Sequence, residues 1–137
     1  MNPPRRKRLP ASPEEWLVHA ASDLRLAKLG KEVRGILPQQ ICFHAQQAVE
    51  KALKAALLSR KVDFPLTHDI DELIDIFDKA GISLPSDFQD AGTLTPYAVE
   101  TRYPGYWDAI TENEIDEAIK LATKAVKWAK KYIVKNK

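Results

Sequence analysis

The sequence predicts an all-α protein, an antiparallel up-and-down bundle of four to five helices, and three observations carry that expectation. No segment alternates apolar and polar residues with the period of two that a half-buried strand requires. Apolar residues instead recur three and four apart, which places them on one side of a helix. The helix starts share one chemistry: Ser12-Pro13-Glu14-Glu15, Ser86-Asp87-Phe88-Gln89 and Thr111-Glu112-Asn113-Glu114 read as capping boxes, with Asp69 and Glu72 a close variant. In such a box the cap oxygen takes an orphan backbone amide and the third helical residue reaches back to the cap.

The first helix is expected over residues 13–29, with Pro13 at the first helical position, where its missing N–H costs nothing, and Gly30 placed to end it. Leu17, Ala20, Leu24 and Ala27 share its inner face. The second helix spans residues 38–60, and Ile41, Ala45, Ala48, Val49, Ala52, Ala55 and Ala56 form one broad face thin enough for close helix contact. On its far side His44, Gln47 and Lys51 line up one turn apart, while Phe43, Leu57 and Leu58 lie off the alanine face and predict a second contact with another subunit. A third helix, residues 69–80, buries Ile70, Leu73, Ile74 and Phe77 and ends at Gly81. A fourth starts near Asp87 and meets Pro96, which must kink or restart it with Thr95 as a new cap. The last, residues 112–134, is about 35 Å long at about 1.5 Å per residue. It carries acids in its first turns and lysines in its last, as the helix dipole favours.

A chain of 137 residues and 15.5 kDa is one domain by length. The expected division is a basic flexible tail over residues 1–12, containing Arg5-Arg6-Lys7-Arg8, and a helical domain over 13–137. The tail lacks the apolar core of a secretory signal, and no apolar run is long enough to span a bilayer. The single cysteine, Cys42, cannot form an internal disulfide, so a reducing cytoplasm is the expected location. The formal charge of +2 conceals segregation: residues 1–60 hold eleven Lys/Arg against five Asp/Glu, residues 61–119 three against fourteen, and residues 120–137 seven against none. The basic ends fit either solvated helix faces or a surface for an anionic partner.

Tests for site chemistry give few candidates. The five glycines are isolated, so no loop cradles a phosphate. The three histidines have no ligand spacing, and neither metal nor cofactor is expected. Cys42 reads as a small core residue, and His68, just before the Asp69 cap, reads as a corner residue bonding a helix-end carbonyl. The sharpest residue is Arg102, in the ring-rich corner Glu100-Thr101-Arg102-Tyr103-Pro104-Gly105-Tyr106-Trp107. It fits an ion pair with Asp23 or Glu100, and it equally fits an anion clamp whose guanidinium fork is flanked by Tyr97, Tyr103 and Tyr106.

The segments CFHAQQAVEKALKAALL, FPLTHDIDELI, YAVETRYP and ITENEIDEAIKLA, in that order, closely resemble the HEPN (higher eukaryotes and prokaryotes nucleotide-binding) domain family over about residues 16–132. The resemblance implies a homodimeric helical bundle, often paired with a minimal nucleotidyltransferase and sometimes acting as one half of a toxin–antitoxin pair. Active members are metal-independent ribonucleases with an arginine, four to six residues, then a histidine. Arg102 matches that arginine, but no histidine follows His68, and Asp108 stands where one would fall. The expectation is a non-catalytic nucleotide- or RNA-binding module with Arg102, Tyr103, Tyr97, His44, Gln47 and Lys51 as binding residues. The alternative is a metal-independent ribonuclease using Arg102 with Asp108, or with His44 from the second helix.

Overall fold

The computed structural model describes residues 10–100, 105 and 108–137. Among these, five α-helices and one 3-10 helix follow one another, and no strand occurs: α1 (Pro13–Glu32), α2 (Pro38–Ser59), α3 (Ile70–Lys79), a 3-10 helix (Ser86–Leu94), α4 (Tyr97–Glu100) and α5 (Glu112–Lys135). The fold is all-α, as the sequence predicts.

Three caps form as expected. Ser12 Oγ accepts from the Glu15 amide, Asp69 accepts from the amides of Asp71 and Glu72, and Thr111 with Glu114 makes a complete reciprocal box. At Ser86 the expected box is absent. The segment winds into a 3-10 helix with Pro85 at its cap position and no side-chain cap bond. The chain restarts after Pro96 as α4, where the Thr95 carbonyl accepts from the Ala98 amide at 3.0 Å, while the Thr95 hydroxyl accepts from the Ile70 amide 3.1 Å away, tying the segment before α4 to the start of α3.

Gly30 corrects a second expectation. It does not end α1, which continues to Glu32. A Cβ there would lie 3.0 Å from Ile41 Cγ1 and 3.2 Å from Ile36 Cγ2, so the glycine serves the close approach of α1 to the start of α2. The reversal is made instead at Gly35, whose φ of 92° lies in the left-handed region. Gly81, with φ 72°, does follow the end of α3 as expected.

The contacts fix helix directions. Gly30 meets Ile41 while Asp23 meets Lys51, so α1 and α2 are antiparallel. Lys31 near the end of α1 pairs with Asp116 near the start of α5, and Glu14 at the other end of α1 pairs with Lys137, so α1 and α5 are antiparallel too. Helix α2 is the centre, packed by α1, α3, α4, α5 and the 3-10 helix. Its alanine face is wholly buried: Ala45, Ala48, Ala52, Ala55 and Ala56 have no exposed surface. Leu57, expected at a subunit contact, is also fully buried, because the predicted second face of α2 is partly covered within the chain; Phe43 and Leu58 remain half-buried. An aromatic knot ties α3 and the 3-10 helix to α5, with Trp128 edge-on to Phe77 and Phe88 and stacked on Tyr132 at 4.9 Å.

Candidate functional site

Helix α2 carries two groups of polar side chains, each built on one carboxylate. The first lies between α1 and α2. Asp23, on the inner half of α1, is buried, and its two oxygens are taken separately: Oδ1 lies 2.9 Å from His44 Nδ1 and Oδ2 2.6 Å from Lys51 Nζ. The seven-residue interval between His44 and Lys51 is two helical turns, which lets both reach one acid on the facing helix. An ionised carboxylate can only accept, so the histidine Nδ1 carries the proton and Nε2 is left for another partner. No hydrogen bond from the described residues reaches Nε2. The His44 ring stands edge-on to Phe43 and forms one end of an open groove of about 480 Å³ between the end of α1 and the start of α2.

The second group is sealed at its acid, lysine and glutamine, with the His68 side chain left 66% exposed. Glu50 and Lys54, one turn apart on α2, have side chains only 3% and 5% exposed and meet at 3.0 Å. Lys54 also donates to the Thr67 carbonyl at 2.8 Å, and its ammonium lies 5.5 Å from the Trp16 ring centre and 5.7 Å from that of Phe64. Gln46 is fully buried and donates to Glu50 and to the His68 carbonyl. His68 is another correction. Its Nδ1 meets Glu50 Oε1 at 2.9 Å in place of a helix-end carbonyl, because the connection before α3 folds across the polar side of α2. No buried side-chain nitrogen or oxygen among the described residues lacks a partner.

Of the expected binding residues, His44 and Lys51 converge on Asp23, and Gln47 sits beside them but donates to Gln46 Oε1 at 2.7 Å, joining the two groups. The Tyr97 hydroxyl donates to Glu114 at the start of α5. Arg102, Tyr103 and Tyr106 lie outside the described residues, as do Arg5 to Arg8 of the expected tail; Asp108 is exposed. Cys42 is buried, as expected of a small core residue. Asp23 entered the sequence reading only as one partner for Arg102, and Gln46, Glu50 and Lys54 were not singled out at all. The one sequence signal was their placement, every fourth residue, on the side of α2 opposite the apolar stripe.

Comparison with known proteins assigns the family. The HEPN domain profile matches residues 13–132. The chain belongs to the HEPN domain family. Among solved structures it is similar to ST0689, described as an archaeal HEPN homologue, with TM-score 0.72 and 29% identity over 90% of this chain and 99% of that one. It is equally similar to TT1696 from Thermus thermophilus, with TM-score 0.72 and 31% identity over 88% of this chain and 97% of the other. No curated protein matches. Membership in HEPN places this chain among nucleotide-binding and ribonuclease-type modules. No helix among its described residues is long and apolar enough to cross a membrane.

Proposed function

We propose that this HEPN protein is a non-catalytic, homodimeric cytoplasmic module that binds a nucleotide or RNA phosphate and partners a minimal nucleotidyltransferase, as one half of a toxin–antitoxin type pair. The observation that carries the reading is the sequence at the motif: Arg102 is kept at the family's arginine position, and no histidine follows it. The guanidinium would grip the phosphate, with Tyr97 and Tyr103 beside it. His44, Gln47 and Lys51 form the second half of the proposed surface. There Lys51 is already neutralised by Asp23, so it orients groups more than it attracts charge.

The experiment is calorimetry with ATP, GTP and a short RNA against the parent and Arg102→Lys. The lysine keeps the charge and loses the bidentate fork, so affinity should fall about tenfold, or about 1.4 kcal/mol. No binding by the parent, or equal binding by the variant, would overturn the assignment.

A second reading is favoured by one observation, the Asp23–His44 pair. A carboxylate that fixes an imidazole while its other nitrogen stays available is the arrangement of a general base. In that reading the protein is a metal-independent ribonuclease with His44 in place of the missing motif histidine. Cleavage of labelled RNA in EDTA, abolished in both His44→Ala and Arg102→Ala, would replace the first reading with this one.

A further inference from the structure

We infer that the groove between the end of α1 and the start of α2 docks an apolar segment with acidic flanks from a partner protein, separately from the nucleotide contact proposed at Arg102. The groove is walled by Leu26, Leu29, Val33, Ile36 and Leu37, and these side chains remain between 44% and 60% exposed. Five large aliphatic residues converging on one concave surface are more than the scattered apolar residues any surface carries. The shape is built in. Gly30 lets Ile36 and Ile41 approach α1 closely, Gly35 sets the reversal, and the Lys31–Asp116 pair ties the end of α1 to α5. The lining is aliphatic apart from Gln40 and His44, and none of its aliphatic walls offers a nucleobase a ring or a phosphate a donor. It suits the apolar stripe of a helix or an extended peptide.

Charge selects the kind of segment. Arg25, Lys28 and Arg34 are exposed near the groove and pair with no described acid; Glu32, and Glu112 and Asp116 beside Lys31, are the acids at this end of α1. The start of α2 adds to the positive potential. Leu37 occupies the cap position without a side-chain cap bond, the first turn holds no acid, and Pro38 leaves the Gln39 amide as an open donor. The N-terminal ends of α1, α3 and α5 have both caps and acids. A 22-residue helix whose positive end is bare beside an apolar groove favours an incoming carboxylate. A second copy of this chain docked groove to groove would bring the same cationic rim and meet it with like charge, so the complementary occupant is an acidic amphipathic segment of another protein.

The test uses the full chain and two synthetic amphipathic helical peptides with the same leucine stripe, one carrying glutamates at its polar positions and the other lysines. Fluorescence anisotropy should show the glutamate peptide binding at least tenfold more tightly than the lysine peptide. Leu37→Asp, a 60% exposed position, should abolish that binding without moving the melting temperature. Arg25→Glu with Lys28→Glu should reverse the preference between peptides. Failure of both peptides to bind, equal binding of the two, or displacement of the glutamate peptide by short RNA would each overturn the inference. So would conversion of a dimer to a monomer by Leu37→Asp, which would make the groove the contact between copies. Nucleotide binding at Arg102 is read independently, so either proposal can fail alone.

Discussion

Asp23 and Glu50 solve the same local problem in opposite settings. Each carboxylate holds one histidine Nδ1 at 2.9 Å and one lysine, Lys51 at 2.6 Å or Lys54 at 3.0 Å. Around Glu50 the lysine is sealed, with its side chain 5% exposed, and backbone carbonyls and two aromatic rings surround the group. Around Asp23 the lysine is 23% and the histidine 30% exposed, and the imidazole opens toward a groove. The closed set fastens the connection before α3 to α2 and buries its acid and lysine, while the His68 side chain stays 66% exposed at the surface. The open set keeps one imidazole nitrogen and a neighbouring apolar surface available. The same residue types therefore form a structural clamp in one place and a candidate site in the other, and the burial of the lysine and the groove beside the histidine make the difference.

The largest effect should come from breaking the closed set. Glu50→Gln removes the charge opposite a buried ammonium, and losing one partner of a buried pair costs about 3–5 kcal/mol. Lys51 can turn to water, so Asp23→Asn should cost less, about 1–3 kcal/mol for the weakened buried hydrogen bonds. Denaturant unfolding of both variants measures the contrast; similar losses would show that the two carboxylates are not in different environments. The double variant Glu50→Leu with Lys54→Met should recover most of the loss, since the stranded charge is gone and Gln46 keeps the His68 carbonyl.

A middle-sized effect tests the other side of the same helix. Ala48 and Ala52 are fully buried on the close-packed face of α2. Ala52→Leu should overpack it and cost about 1–3 kcal/mol. An unchanged melting temperature would mean that the alanine face has room the structure does not show.

How far the sequence revealed these differences depends on the residue. The caps at Ser12, Asp69 and Thr111 are local, requiring only residues three positions apart, and they were legible. So was the alanine stripe, because helical period alone places it. The burial of Gln46, Glu50 and Lys54 was not. Along α2 they read as a solvated polar face, and only the chain at Phe64, Thr67 and His68 folding over them makes them interior. Gly30 was misread for the same reason: a glycine near a helix end resembles a stop until the neighbouring Ile36 and Ile41 are seen to need its missing side chain. Thr95 caps a helix that begins twenty-five residues earlier, at Ile70, a relation no local pattern encodes. The groove went unnoticed because its walls come from two helices and the turn between them. At the candidate site, the line of His44, Gln47 and Lys51 was visible from period, whereas the acid that organises it sits on another helix.

The smallest effects belong to exposed pairs that fasten α5, and they separate by pH. The hydrogen bond from Lys124 to Asp87, with the Lys124 and Lys120 charges adding to it, holds the Asp87 carboxyl below its usual value near 3.8. A depressed carboxylate stabilises the fold above its unfolded pKa, and that contribution disappears as pH falls through the folded one. Nearer the start of α5, the bond to Asp116 holds Lys31 above its usual 10.5. That contribution is complete below 10.5 and is lost as pH rises through the raised value. Both pairs are exposed, so neither resembles Glu50 and Lys54 in strength, and both should fade in high salt. Asp87→Asn should therefore melt slightly below the parent at about pH 6, and the two curves should converge as the pH is lowered below about 4. The Lys31→Gln variant should converge with the parent only at the alkaline end. Because many other carboxylates titrate in acid, the quantity to read is the gap between parent and variant. A gap for Asp87→Asn that stays constant from about pH 6 to about pH 2 would show that this pair adds nothing to the attachment of the 3-10 helix to α5.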